Sequence, residues 1–559
     1  MAVIGTTGIN LPEIYAYETP GITYHEGWIK IGDTQGEFEK RIGQQTNTAG
    51  IIAIGHCLGF AVYEDGSRKT FRDHAFHQYL RDHGINDKHP EWPGDEWFEI
   101  SLEKAKQLFY EFRQNPPLEH KIGQIILRDE QEDAISKTVK YKETHEKGEF
   151  LWNAKPRFGK TISAMEFCKR INAQNVLVLT NKPAVANSWY EDYVEYLGEK
   201  SGYIFVSSTP DLKGKELVKT RDEYLKLLCE SKDDETPKCF EFVSMQDLKG
   251  SIYYGGKFDK LGELQNLEWD ALFLDEDHEG IDTLRSEFAL DKIKRKFTLH
   301  LSGTPFKQIK NHKFDSDAIF NWTYVDEQKR KANWSGSGEN PYEELPTLHL
   351  YTYRMSNMVE ETKHADLNDD EFEYAYKLNK FFETNSKDEF IHRKEVLKFL
   401  DALTTDSKFP LASKQNRDAL SHSFWLMPTV SASIAMKKEL DNHPIFKDYE
   451  VINVAGDISG LKKTSDEYDK ENAAYGIVTK AIKNHEKTIT LSVQRLTTGV
   501  TIPEWTSVFI LSEIRSAQTY MQSAFRAQNP CVFKIKDKYV RKTDSYVFDF
   551  NPERSLSII

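Results

Sequence analysis

The sequence predicts an α/β protein: a small N-terminal α/β domain, then two parallel-sheet lobes with a helical insert between them. Three observations carry this prediction. In two separate stretches, short apolar runs alternate with helical spacers, as buried parallel strands joined by crossover helices do. A polar, mainly helical stretch divides the two. Before them, an N-terminal stretch alternates short strand-like runs with turn residues and then becomes helical.

The elements follow in chain order. Ile14–Tyr17 and Trp28–Ile31 read as strands, with Pro20 and Gly21 supplying a turn between them. Gly36–Gln45, Asp73–His83 and Trp97–Phe112 read as helices. Phe150–Ala154, Val176–Leu179, Phe240–Val243, Ala271–Leu274 and Thr298–Leu301 form the first strand series. Ser423–Met427, Glu450–Val454, Thr488–Ser492, Val508–Leu511 and Tyr546–Phe550 form the second. The expected domains are 1–112, 113–310, an insert over 311–415, and 416–559.

A chain of 559 residues, 39% hydrophobic and 12% aromatic, has material for several cores, about three or four domains at usual sizes. Mean hydropathy is −0.62, and no apolar run approaches the ~20 residues that a membrane span requires. Met1–Pro12 lacks the pattern of a secretory signal. The five cysteines include no CxxC pair, which argues against a zinc module or a disulfide framework and fits a reducing cytoplasm. The net charge of −14 excludes a uniformly basic nucleic-acid coating protein. It leaves room for a motor with a locally basic groove.

Ala154-Lys-Pro-Arg-Phe-Gly-Lys-Thr161 follows a predicted strand and opens a predicted helix. It matches the phosphate-loop pattern, with Ala154 in place of the first glycine. Small residues such as Ala154 and Gly159 let backbone N–H groups close around phosphate oxygens. Lys160 would reach the β/γ-phosphates and Thr161 would ligate Mg2+. Ala271-Leu-Phe-Leu-Asp-Glu-Asp-His278 is an apolar strand ending in carboxylates. Asp275 is suited to Mg2+ and Glu276 to an attacking water.

Together these segments resemble the superfamily 2 helicases, and among them the restriction-enzyme-like branch (type III restriction, res subunit). The resemblance runs over about 120–555. Leu127–Gln131 looks like the adenine-reading segment, with Arg128 and Gln131 at its matching positions. Ala154–Thr161 resembles motif I, Val176–Tyr190 motif Ia, Asp275–His278 the DExH box, and Ser302-Gly-Thr304 motif III. Thr488–Pro503, containing Arg495–Val500 with Gly499, resembles motif V, and Gln522–Arg526 motif VI. The resemblance implies two RecA-like lobes, with ATP between them. His278, Ser302 and Thr304 would couple hydrolysis to lobe movement, and Gln522 and Arg526 would reach across from the second lobe. One departure stands out: where the family has a second arginine, three residues after Arg526, this chain has Asn529.

The N-terminal constellation resembles the GIY-YIG nucleases. Tyr15 or Tyr17 stands for the first tyrosine. Lys30 takes the place of the second, Arg41 matches the family arginine, and Asp73 stands where glutamate is common, with His77 one turn on. The resemblance implies a water deprotonated with a tyrosine's help, an arginine on the pentavalent phosphate, and one divalent metal on Asp73.

The expected function is an ATP- and Mg2+-dependent helicase or translocase with a fused endonuclease. It would work in restriction or anti-phage defence in a bacterial or phage-associated cytoplasm. Duplex DNA would be its partner, possible further subunits its companions, and no membrane is involved. Two alternatives remain open: a helicase whose N-terminal domain only binds DNA, and a nucleotide-gated DNA-binding protein that recruits a separate nuclease. Lys155, Arg157, Lys182, Lys307 and Lys310 are candidate nucleic-acid contacts. Trp189, Tyr190 and Trp334 could stack bases, although Trp189 reads more readily as helix packing.

Overall fold

The computed structural model describes residues 4, 8–47, 50–66, 68–88, 96–115, 127–180, 185–198, 201–231, 236–275, 284–303, 314–335, 340–353, 378–457, 467–497, 500–514, 516–535 and 538–551. They form two units. The smaller comprises 7–124 together with 530–543, and the larger 1–6, 125–529 and 544–559.

The smaller unit begins with β1 (Ile9–Asn10), β2 (Glu13–Glu18), β3 (Trp28–Thr34), β4 (Ile54–Phe60) and β5 (Trp97–Glu99). The last four make an antiparallel sheet in the order β4-β2-β3-β5. Alternation puts Ile14 and Ala16 of β2, with Ile29 and Ile31 of β3, into one core. Helices Asp73–Asp82 and Leu102–Gln114 supply Phe76, Leu80, Leu108, Phe109 and Phe112 to it. Tyr15 and Tyr17 point to the opposite face, where helix Phe38–Thr46 packs through Ile42. The expected helix over 97–112 begins only at Leu102, because Trp97–Glu99 pairs with β3 and Ser101 caps the helix through the Lys104 N–H. Strand β4 was not legible, since its glycines interrupt the alternation.

The first sheet of the larger unit holds eight strands: β6 (Glu149–Ala154), β7 (Asn175–Thr180), β8 (Tyr203–Val206), β9 (Val218–Lys219), β10 (Lys238–Ser244), β12 (Ala271–Asp275), β14 (Thr298–Ser302) and β15 (Ile319–Trp322). The two-residue pair β11 (Glu268–Trp269) and β13 (Lys294–Arg295) lies apart from it. The order is β15-β6-β14-β12-β7-β10-β8-β9, and every pairing is parallel. Its strands are apolar on both faces and helices cover them, so the polar chemistry gathers at the carboxyl ends.

The second sheet joins β16 (Thr347–Thr352), β17 (His422–Leu426), β18 (Glu450–Asn453), β19 (Thr488–Ser492) and β20 (Ser507–Ile510). After β20 the chain makes β21 (Val532–Ile535) and β22 (Lys538–Arg541), which belong to the smaller unit. There β22 pairs with β1. The chain then returns as β23 (Asp544–Asp549), giving the parallel order β16-β23-β20-β17-β19-β18. The 311–415 stretch, expected to be helical, gives β15 to the first sheet and β16 to the second before helix Arg393–Thr405. Both are edge strands, and their mixed polar sequences hide the pattern.

Candidate functional site

The phosphate loop joins β6 to helix Lys160–Arg170. Gly159 is in the left-handed region (φ 86°), and a Cβ there would lie 2.4 Å from Gln131 Nε2. Only glycine suits that position. Arg128 Nη2 and Gln131 Nε2 both donate to the Phe158 carbonyl, at 2.5 and 2.9 Å. Gln131 Oε1 also accepts the Arg128 N–H at 2.8 Å. Arg128 and Gln131 thus clamp the phosphate loop at the Phe158 carbonyl. Lys160 Nζ donates to the Ala154 carbonyl at 2.8 Å, so the ammonium lies along the loop. Thr161 opens the helix, whose N-terminal N–H groups favour anions.

Asp275 ends β12, two strands from β6 across β14, and Ser302 ends β14 beside Asn153 of β6. The parallel register therefore brings loop, carboxylate and motif III serine to one sheet edge. The Trp189 indole N–H donates to Asp275 Oδ2 at 2.8 Å. Trp189 is buried against Phe240, Phe242 and Phe273, so it is a packing residue and not a base-stacking surface. Thr161 and Asp275 offer hydroxyl and carboxylate oxygens, the donors Mg2+ prefers. Glu276, His278, Thr304 and Gly499 lie outside the described residues, as do Lys182, Lys307 and Lys310.

In the second lobe, helix Ala517–Ala524 and the 3-10 turn Phe525–Gln528 carry motif VI. Gln522 is buried. Arg526 donates to the carbonyls of Val500 and Gln522. Two loop residues reach this lobe. Arg157 donates to Asn529 Oδ1 and, at 3.1 Å, to Thr501 Oγ1. Lys155 Nζ lies 2.6 Å from Glu327 Oε2, and Glu327 Oε1 accepts from Gln528 Nε2 at 3.2 Å. Burial pushes the Lys155 ammonium down to about 8 against the opposing pull of Glu327. The Lys155–Glu327 pair is 4% and 1% exposed, which removes Lys155 from the candidate DNA contacts. Sequence reasoning missed Glu327 and Tyr342, which bonds Glu130 at 2.5 Å. Each is paired across nearly two hundred residues or more, beyond any local signal.

In the smaller unit, Tyr15 and Tyr17 stack with centroids 6.5 Å apart, and Trp97 packs edge-on against Tyr17. The Tyr15 phenol is hydrogen-bonded by Gln45 and Arg41 of helix Phe38–Thr46. Burial raises its pKa, with Arg41 opposing. Burial pushes Tyr17 up to about 12. Lys30, opposite Tyr17 in the β2–β3 register, pairs with Glu96 at 3.0 Å. Gly32 faces Tyr15, and a Cβ there would meet its hydroxyl at 2.9 Å.

Asp73 starts its helix and donates its N–H to Asp33, which Arg72 holds with two guanidinium nitrogens. Burial and Asp33 raise the Asp73 carboxyl. His77 Nε2 donates to the Ile31 carbonyl at 3.0 Å, and burial lowers its pKa. Glu96 interacts electrostatically with Tyr15, Tyr17, Asp73 and His77, so it is the acidic neighbour they share. Among the described residues, no group of three or more His, Cys, Asp or Glu is arranged to hold a metal ion. None of their helices is long and apolar enough to cross a membrane.

Two parallel sheets with a phosphate loop and a strand-end aspartate define a phosphate-loop α/β protein. Residues 124–307 match the family model described as "Type III restriction enzyme, res subunit". A curated relative in Mycoplasma pneumoniae (strain ATCC 29342 / M129 / Subtype 1), "Putative type II restriction enzyme and methyltransferase RM.MpnORF110P C-terminus", is 28% identical over 498 residues. The match covers 77% of this chain and 65% of that relative's length. Among solved structures, "ATP-dependent Type ISP restriction-modification enzyme LlaBIII bound to DNA" aligns with a TM-score of 0.45 and 14% identity, covering 76% of this chain and 28% of that one. "Sulfolobus solfataricus SWI2/SNF2 ATPase core in complex with dsDNA" aligns at 0.30 and 14%, covering 76% and 87%.

Proposed function

We propose that the protein is a restriction-type, ATP-driven DNA helicase or translocase whose N-terminal unit cleaves DNA with a divalent metal. The observation that carries the motor reading is the convergence of the phosphate loop and Asp275 at one sheet edge, with the loop's side chains reaching the motif VI turn. Lys160 leaves the Ala154 carbonyl to meet the β/γ-phosphates. Loop and helix N–H groups wrap the phosphate oxygens. Thr161 and Asp275 would hold Mg2+, and the ion would supply charge neutralisation for phosphoryl transfer. Glu276, next in the chain, orients the attacking water, and Arg526 stabilises charge on the transferring group. His278, Ser302 and Thr304 couple hydrolysis to lobe movement. Arg128, Gln131 and Gly499 complete the nucleotide pocket. The Mycoplasma relative's printed name supports a restriction role; duplex DNA is the substrate of this reading, and further subunits are its companions.

For the N-terminal unit, Arg41 stabilises the phosphate, Asp73 holds the metal, and Tyr15, Tyr17, Lys30 and His77 position the water. Tyr17, with its pKa pushed up to about 12, acts as a neutral hydrogen-bond donor and not as a phenolate. A second reading is that the unit docks on DNA without cutting it.

ATP hydrolysis measured in parallel with double-stranded DNA, single-stranded DNA and RNA tests the motor. Stimulation by duplex DNA, abolished by Lys160→Ala, is expected; equal rates with and without every nucleic acid overturn it. Plasmid nicking with Mg2+ or Mn2+ tests the nuclease. Nicking lost in Arg41→Ala and retained in Lys160→Ala supports it, and no nicking under either metal, with or without ATP, leaves the docking reading.

A further inference from the structure

We propose that Arg157 supplies, from the phosphate loop itself, the second arginine that the motif VI turn lacks at position 529, and that it reads the γ-phosphate of bound nucleoside triphosphate. The inference rests on the ATPase reading above.

Four observations converge on Arg157. Its backbone sits at φ 71°, in the left-handed region that a long side chain adopts only under strain. A glycine would adopt that conformation freely, yet an arginine stands there. Its guanidinium crosses to the second lobe and donates to Asn529 Oδ1 and Thr501 Oγ1. Asn529 is the residue three positions after Arg526, so the guanidinium ends beside the place where the expected second arginine would begin. Arg526 is close enough to repel it, and burial together with that repulsion lowers Arg157 to about 10, still cationic at neutral pH. Asp192 pulls the other way on Arg157, yet burial and Arg526 outweigh it, and two arginines held side by side are suited to a polyanion.

The neighbouring Lys155 shows why the loop points this way. Its ion pair with Glu327, itself bonded to Gln528, ties the start of the loop to the motif VI turn. Asn529 then serves as a neutral resting partner. It holds Arg157 through a side-chain carbonyl that a phosphate oxygen outcompetes, because charge-assisted hydrogen bonds are about twice as strong as neutral ones. A second-lobe arginine at 529 would instead repel Arg157. The pairing of Arg157 with Asn529 is therefore internally consistent: the charge has moved across the cleft, and the residue it would have replaced is neutral.

The test uses the full-length chain and Arg157→Gly. Glycine removes the guanidinium and relieves the backbone, so the melting temperature is expected to stay level or rise. The turnover number for DNA-stimulated ATP hydrolysis is expected to fall at least about tenfold, while affinity for a fluorescent ADP stays within about threefold, because ADP lacks the γ-phosphate. Arg157→Lys should restore part of the turnover. Turnover of Arg157→Gly within twofold of the parent overturns the inference, and so does an ADP affinity that falls as far as turnover. Lys160→Ala separates the two levels. If the parent hydrolyses ATP and Lys160→Ala does not, an unaffected Arg157→Gly sinks only this inference. If Lys160→Ala is also unaffected, the ATPase reading falls with it.

Discussion

The Trp189 indole N–H donates to Asp275 Oδ2 at 2.8 Å, so a packing residue of the helix Ala186–Tyr196 fixes the orientation of the strand-end carboxylate. Groups that orient a metal ligand contribute about 10–100-fold in affinity or activity. Trp189→Phe keeps most of the buried ring and deletes the donor. The Mg2+ concentration for half-maximal ATPase is expected to rise about tenfold, with ADP binding in the absence of metal unchanged. A magnesium titration of the ATPase rate checks this.

The Lys155–Glu327 pair is nearly inaccessible to water. Removing one partner of such a pair strands a buried charge and costs about 3–5 kcal/mol, whereas replacing both with apolar groups of similar volume is close to neutral. Glu327→Gln is therefore expected to lower the melting temperature markedly, and Lys155→Met/Glu327→Leu to recover most of the loss. Calorimetric scans of both variants measure the difference.

Asp33 supplies a pH dependence of known sign. Burial by itself would raise its carboxyl. The Arg72 guanidinium and the Asp73 N–H more than offset that and hold it below the usual carboxylate range. A depressed folded-state pKa contributes stability that is present above the unfolded value, near 3.9, and is lost as pH falls through the folded value. Asp33→Asn is expected to cost about 1–3 kcal/mol at pH 7 and progressively less below pH 4. Hydrogen exchange of β3 as a function of pH reads this locally.

Gly159→Ala would place a methyl group 2.4 Å from Gln131 Nε2 and force alanine to φ 86°. The Gln131–Phe158 clamp must open to admit it. Nucleotide affinity is expected to fall at least about tenfold while the rest of the lobe keeps its fold. Isothermal titration with ADP, alongside circular dichroism, provides the check.

The legible parts of the molecule were those written in contiguous residues. Thr488–Ser492 is predicted and observed with the same bounds, because five buried residues in a row can only be a central strand. The phosphate loop and Asp275 were legible because strand, turn and helix chemistry follow one another directly. Strand β8 was not, since its short run Tyr203–Val206 carries little signal of its own and is recognised only by its parallel pairing with β10. In the candidate sites, Arg157 was visible only as a basic residue. Its meaning depends on Asn529 and Thr501, more than three hundred residues away. The position of Glu96 among two tyrosines, an aspartate and a histidine follows from β5 lying against β3.

The two strands Val532–Ile535 and Lys538–Arg541 complete the smaller unit, where Val532 and Tyr539 bury Leu11 and Val62 and the Tyr539 hydroxyl donates to Glu64. A ribosome makes residues 7–124 first, yet it must translate past residue 541 before that unit has all its strands. The smaller unit is thus finished only after residues 125–529 of the larger unit have been made. A nascent chain that stalls midway would carry the smaller unit with Leu11, Phe60 and Val62 still uncovered. Order of synthesis, and not only affinity or charge, then governs when the smaller unit is first complete.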